Sequence, residues 1–134
     1  MATTQTGVQY HPLMRLGHLL SSADYSGTST EYNTFVIVNA STDFTFTKAS
    51  TGEVAIGILN SKPYTGEPGE IIVGGTALLK LGDTVTRGNL LKSDSSGYGV
   101  PVASNNDWFG AQAFQSGVAN DVIEVLIVRG YYGA

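Results

Sequence analysis

Apolar residues along this chain fall into short runs, many of them alternating with Thr or Ser. No stretch of about ten residues keeps a helical period. Val, Ile, Thr and aromatic residues fill the runs, and Gly, Pro, Asn, Asp or Ser interrupt them about every 8–12 residues, the rhythm of a β-sandwich or barrel. "NTFVIVN" (33–39) is apolar on both faces, as expected of a strand covered on both sides or lying at an interface. In "DFTFT" (43–47) the alternation sends Phe44 and Phe46 one way and Thr45 and Thr47 the other. "VAIGIL" (54–59) and "WFGAQAF" (108–114) are strands with an internal glycine, which marks a bulge or a close backbone approach. "IIVGGTALLKL" (71–81) reads as strand, Gly-Gly break, strand.

"VIEVLIVRG" (122–130) carries the strongest strand signal. Ile123, Val125 and Ile127 face one way; Val122, Glu124, Leu126 and Val128 face the other. The second face is too apolar for bare solvent, so Val122 and Leu126 are candidate subunit-interface residues unless the strand is central. "NSKPYTGEPGE" (60–70) and "QSGVAND" (115–121) are polar loops, and "YYGA" (131–134) is a tail. The expected fold is therefore mainly β: a small single-domain β-barrel or β-sandwich over 15–134 with little helix. At most a short helix or turn is expected within 14–23 or around 84–88. Residues 16–33 are the least legible segment.

Residues 1–14 read as an extended N-terminal arm. Pro12 cannot donate a backbone hydrogen bond and pushes His11 into an extended conformation. Val8, Tyr10, Leu13 and Met14 are too apolar for a free tail. The arm is expected to dock on its own domain or on a neighbour, so Val8, Tyr10, His11, Pro12, Leu13 and Met14 are candidate partner-binding residues. A faint internal echo also runs through the chain. Gly57 matches Gly110, and Ile71–Val73 matches the region of Ile123–Ile127, each unit being a Gly-containing strand, a polar loop and an apolar strand.

"LGDTVTRGNLLKSDSSGYGVPV" (81–102) has the look of a corner. Gly82 can supply a positive φ at no steric cost, and the Asp83 carboxylate can accept from the amide of Val85 or Thr86 in an Asx-type turn. Val85 drops into the core, Gly88 turns the chain again, and Ser95-Ser96-Gly97 closes a hairpin. Gly82, Asp83 and Gly88 are thus structural turn residues. Corners of lipoyl and biotin carrier domains are written in a similar way. Here, however, Lys80 and Lys92 lack the flanking residues of an attachment site and read as solvated strand residues.

Composition narrows the function. Charged residues make up 13% of the chain, against roughly a quarter in ordinary soluble domains. The surface must therefore be covered by hydroxyls and backbone, which suits contact with other protein. The net charge of −4 and the scattered Lys and Arg residues argue against direct nucleic-acid binding. With no cysteine there are no disulfides, thiolate metal sites or cysteine nucleophiles. The first residues have neither the basic head nor the apolar run of a secretion signal, and no apolar segment approaches the roughly 18 residues of a membrane span. No membrane association is expected.

Candidate chemistry is sparse. His11 and His18 are seven apart, without metal-ligand spacing. Glu67 and Glu70 flank a Pro-Gly turn and read as solvated charges. "DSSGYG" from Asp94 is a fragment of a calcium loop that lacks its distal Glu. Trp108 and Phe109 are expected in the core. No nucleophile elbow, zinc helix or phosphate loop is present. No catalytic residue, metal or cofactor is expected, and the chain does not read as an enzyme.

Taken in order, "VAIGIL … GEPGEIIVGGTALLKLGDTVTRGNLLKSDSSGYGVPV … WFGAQAFQSGVANDVIEVLIV" resembles the small decoration, or cement, proteins of tailed-bacteriophage heads. The resemblance covers roughly residues 54–129. It implies a β domain, made in the host cytoplasm, that binds the outer capsid surface of the virion, commonly as a homotrimer. Such a domain would stabilise the shell by bridging subunits of the major capsid protein. An arm such as Val8–Met14 would then add a strand to a neighbour's edge, with Tyr10 and Leu13 filling pockets. Two other readings stand beside it. One is a different virion β module, from a tail, baseplate or host-glycan-binding head fibre, which exposed clustered aromatics would favour; Tyr131 and Tyr132 are the adjacent tyrosine pair. The other is the carrier domain.

Overall fold

The computed structural model describes residues 12–27, 32–103 and 107–132. Ten strands follow one another along the chain: β1 (Pro12–Leu16), β2 (Leu20–Ser21), β3 (Phe35–Val38), β4 (Thr45–Lys48), β5 (Gly57–Leu59), β6 (Ile71–Lys80), β7 (Leu90–Ser93), β8 (Gly99–Pro101), β9 (Asp107–Ala113) and β10 (Val122–Tyr132). There is no helix among the described residues, as the missing 3.6-residue period implied. Residues 14–23 contribute to β1 and β2, and 84–88 form turns around the bridge between Val85 and Gly117.

The strands form one open sheet in the order β2-β4-β3-β5-β6-β10-β9-β7-β8, with β1 also paired to β6. The β fold is as expected; its sheet is open rather than a closed barrel. β6 belongs to both halves. Its first five residues pair with β5 and with β1, and its last five pair with β10. The Gly-Gly pair ends the first of these stretches. Gly75 has φ +83, a conformation open to glycine at little cost, and a side chain on Gly74 would come 3.3 Å from the Met14 Cβ. The break read from the sequence is thus a bend within one continuous strand.

The two halves face each other across the main core. Phe35, Ile58 and Ile72 come from the first half, and Leu79, Leu91, Ala111, Ile123 and Val125 from the second. Single hydrogen bonds stitch the far side: the Phe35 amide donates to the Gly97 carbonyl (2.8 Å) and the Gly52 amide to the Ser93 carbonyl (3.1 Å). The internal echo has a structural counterpart. β5–β6 and β9–β10 are both antiparallel neighbours, and they meet through β6 and β10.

A second core lies on the outer side of the first half, where Val36, Phe46, Leu59 and Ile71 pack with Leu19 and Tyr25. The cover is the illegible segment after β1 together with the loop before β6. It is held by backbone bonds from Ser21 to Glu67, Gly66 to Ser21 and Tyr25 to Pro63, each 2.8 Å. This accounts for the start of the "FVIV" strand, where Phe35 enters the main core and Val36 the second; Val38, at its end, is 55% exposed. The expected alternation at 43–47 fails at Phe44. That residue sits in a turn with φ +54, 69% exposed, while Phe46 is fully buried and Thr45 is buried too. The strand begins one residue later than the pattern suggested, and a residue before the strand has no assigned face.

Gly57 tests the packing between β5 and β6. A Cβ there would lie 2.3 Å from the Ile72 carbonyl oxygen and 2.8 Å from the Ile71 Cγ2. Gly57→Ala is expected to cost about 1–3 kcal/mol, because a backbone oxygen cannot step aside. Thermal unfolding should show this as a fall of roughly 4–12 °C in Tm. Gly17→Ala, at a position with open space around it, should show no such fall.

Candidate interaction surface

The corner after β6 is built differently from its sequence reading. Val85 is buried as expected and exchanges two backbone bonds with Gly117 (2.8 and 3.0 Å). Gly88 takes φ +89. The Asp83 carboxylate, however, accepts from the Thr84 amide (2.7 Å) rather than from Val85 or Thr86, and the Thr86 amide donates to Asn89 Oδ1 instead. Gly82 is not among the residues with positive φ. Its need is for space, since a Cβ would fall 2.1 Å from Asp94 Oδ2.

Two carboxylates missed by the sequence reading organise this end of the fold. Asp94 Oδ1 accepts from the amides of Ser96 (2.8 Å) and Tyr98 (3.0 Å), shaping the β7–β8 hairpin, while Gly97 takes φ +81. Asp121 is 3% exposed; its Oδ2 accepts from the Val118 amide at 3.0 Å, and its carbonyl accepts from Leu81. The available signal was Asp94 three residues before Gly97, a turn spelling that also looks like part of a calcium loop. Elsewhere, Asp24 has its carboxyl held below the usual carboxylate range, first by the Ser26 hydroxyl and then by the Ser26 amide.

Nothing brings the other candidate groups together. His18 is exposed, and His11 lies outside the described residues, as do Val8 and Tyr10. Glu67 accepts from the Tyr64 amide (2.8 Å), whereas Glu70 meets Arg15 (3.4 Å) and Asn60 (3.2 Å). Arg15 and Glu70 line an open groove of about 490 Å³ with Gly17, Ser61, Pro68 and Gly69. No group of three or more potential metal ligands occurs among the described residues. Lys80 stands over the Tyr98 ring (5.0 Å), and Lys92 forms a half-buried ion pair with Asp107 (2.9 Å) rather than projecting into solvent. Pro12, Leu13 and Met14 belong to β1, where Pro12 and Met14 pair with Gly75 and Gly74 of β6 in the same chain and Leu13 falls at the irregularity between them. Leu13 and Met14 are 85% and 61% exposed.

What the fold does present is surface. At one end of β9 and β10, Trp108 pairs directly with Tyr131, their rings 4.9 Å apart and tilted by 58°. Tyr132 stands opposite Asp107. Trp108 is 42% exposed, so it is not the core residue expected from the sequence, and both tyrosines are exposed. Phe109 is half-buried and belongs to neither core; its ring lies over Gly130 of β10, in the place of a side chain there. The Tyr-Tyr "tail" is the end of β10.

The second surface is the outer face of the half formed by β6, β10, β9, β7 and β8. The alternation along β10 is as read: Ile123 and Val125 are fully buried, Val122 is exposed and Leu126 half-buried. Val122 lies opposite Lys80, Glu124 opposite Leu78, and Leu126 between Thr76 and Gln112.

The class defined by this geometry is an all-β module whose notable features are exposed faces and ends. No family model and no curated protein matches the chain. Among solved structures it is similar to the N base of head fiber gp8.5 of bacteriophage phi29. The TM-score is 0.68 at 10% identity, covering 90% of this chain and 100% of that one. At that identity the likeness is one of fold.

The two aspartates of the corner region separate cleanly by mutation. Asp94→Ala removes an acceptor from two amides and is expected to cost about 1–3 kcal/mol. Asp83→Ala, at an exposed carboxylate with one local partner, should stay within about 0.5 kcal/mol. Urea unfolding of both variants measures the difference.

Proposed function

We propose that this chain is a non-enzymatic structural component of a phage virion, a β base that seats on the outside of the head in the manner of a head-fibre base. The observation that carries this reading is the fold likeness, which spans the whole of the phi29 fibre base and nine-tenths of this chain. The low charge and the exposed apolar residues fit a module made to contact other protein. The partner in this reading is the major capsid protein, and the module acts as a homotrimer. Binding that spans subunit boundaries would favour the assembled shell by mass action, which is the cement role.

A second activity within this reading is favoured by the aromatic end of β9 and β10. Trp108 and Tyr131 are exposed in ring contact, and Tyr132 is exposed at the next position of β10, a mixture of ring faces and polar ring groups that suits a glycan on a host surface. The chain has one tryptophan, so its fluorescence reports on that end alone.

Purified protein is expected to co-sediment with expanded capsids and not with unassembled capsid subunits; failure to pellet with capsids would remove the proposal. Deleting 1–11, which leaves β1 whole, should lower occupancy if the arm contributes. A deletion to 14 would cut into β1 and confuse binding with folding. In glycan titrations, a shift in Trp108 emission that is abolished by Tyr131→Ala supports the glycan reading, and unchanged emission across a broad panel counts against it.

A further inference from the structure

We infer that the outer face of the β6-β10-β9-β7-β8 half is the surface on which a second copy of this chain packs. The argument begins with a contrast between the two halves. Both have apolar residues on their outer faces. In the first half those residues are covered by the chain itself, through Leu19, Tyr25 and the loop before β6, and they form the second core. In the second half the core-facing residues Leu79, Leu91, Ile123 and Val125 are fully buried. The outward residues that alternate with them remain apolar in large part: Leu78, Leu90, Val122, Leu126 and, just past the end of β9, Phe114. Val122 is 39% and Phe114 51% exposed, and no second core forms there among the described residues.

Size and charge point to a copy of the same chain as the occupant. Five strands about 4.8 Å apart, crossed by side-chain rows about 7 Å apart, give a face on the order of 500 Å² in projection. An ordinary stable interface buries roughly 800 Å² on each partner, so a face of this extent would supply the larger part of one. The outward rows carry Glu124 in one row and Lys80 in the next, on neighbouring strands. Glu124 stands inside this patch, between Val122 and Leu126 and opposite Leu78, with Lys80 beside it opposite Val122. A copy related by a closed rotation can set the lysine of one against the glutamate of the other there. The whole chain is acidic, at −4, but these rows are not: Lys80 stands with Glu124, and Lys92 is balanced by its ion pair with Asp107. Two copies can therefore approach here without the repulsion that the rest of the surface would impose.

This inference deepens the self-association in the proposed function and is independent of the capsid. It is read on the pure full chain by light scattering and by cross-linking. The wild type should have the mass of a closed oligomer, and L126E should fall to the monomer mass with its circular dichroism and cooperative melt retained. The chain has no cysteine, so an introduced thiol is unique. V122C should give covalent dimers with a short bis-maleimide, and F44C, at an exposed turn in the other half, should not. Should L126E misfold, the pair of cysteine variants still decides. A monomeric wild type, an oligomer unchanged in L126E, or equal cross-linking of V122C and F44C would overturn the inference. Loss of the oligomer on deleting 1–11, with V122C uncross-linked, would assign self-association to the arm instead. Capsid co-sedimentation reads the other proposal separately, so each can fail alone.

Discussion

One edge of one strand organises this fold. β6 offers a single row of backbone donors and acceptors on the side away from β5, and two strands share it, β1 along Ile71–Gly75 and β10 along Thr76–Lys80. Buried backbone groups must be paired, so where one partner leaves the other has to begin. The change of partner falls at Gly74-Gly75, where the absence of side chains lets β1 lie close and lets the strand bend. Everything downstream follows from that bend. It turns the second half of the sheet to face the first, encloses Phe35, Ile58 and Ile72 against Leu79, Ile123 and Val125, and leaves β10 to continue past β6 with β9 as its neighbour.

Close approach recurs as the reason for glycine. Gly57 lies against the Ile72 carbonyl, Gly69 against the Phe46 ring, and Gly82 against the Asp94 carboxylate. At these places the backbone needs room more than an unusual dihedral. The polar counterpart is a pair of carboxylates, Asp94 and Asp121, which hold loop amides that the sheet cannot satisfy. The region that first looks like a chemical motif is therefore a set of loop closures around Val85. The surfaces left over are an aromatic end and an outer face on which apolar and charged side chains alternate.

Much of the fold was legible because strand alternation has a two-residue period that survives in any context. The faces of β10 over Val122–Leu126 and the burial of Phe35 and Val36 on opposite sides of β3 follow from that period. Residues 16–27 were illegible because their structure is borrowed: Leu19 and Tyr25 are held by the loop at 60–69, far along the chain. Phe44 was misread because alternation cannot show where a strand starts. Trp108 was misread because a bulky aromatic has the same pattern whether the far side of its strand is filled or open. Of the candidate surface, Val122, Leu126 and the two tyrosines were visible in sequence; their neighbours Leu78, Phe114 and Trp108 were not.

Taken alone, the sequence determined an all-β chain, the apolar faces of its strands, turns at its glycines and a surface poor in charge. Those properties depend on neighbours a few residues away, and local order records them. The tertiary structure decided which edge each strand uses, that the sheet stays open, that Asp94 shapes the β7–β8 hairpin while Asp83 accepts from the next amide, and which apolar face the chain itself covers. Those depend on groups brought together from distant parts of the chain, where backbone pairing and steric fit, not pattern, choose between arrangements that look alike in sequence.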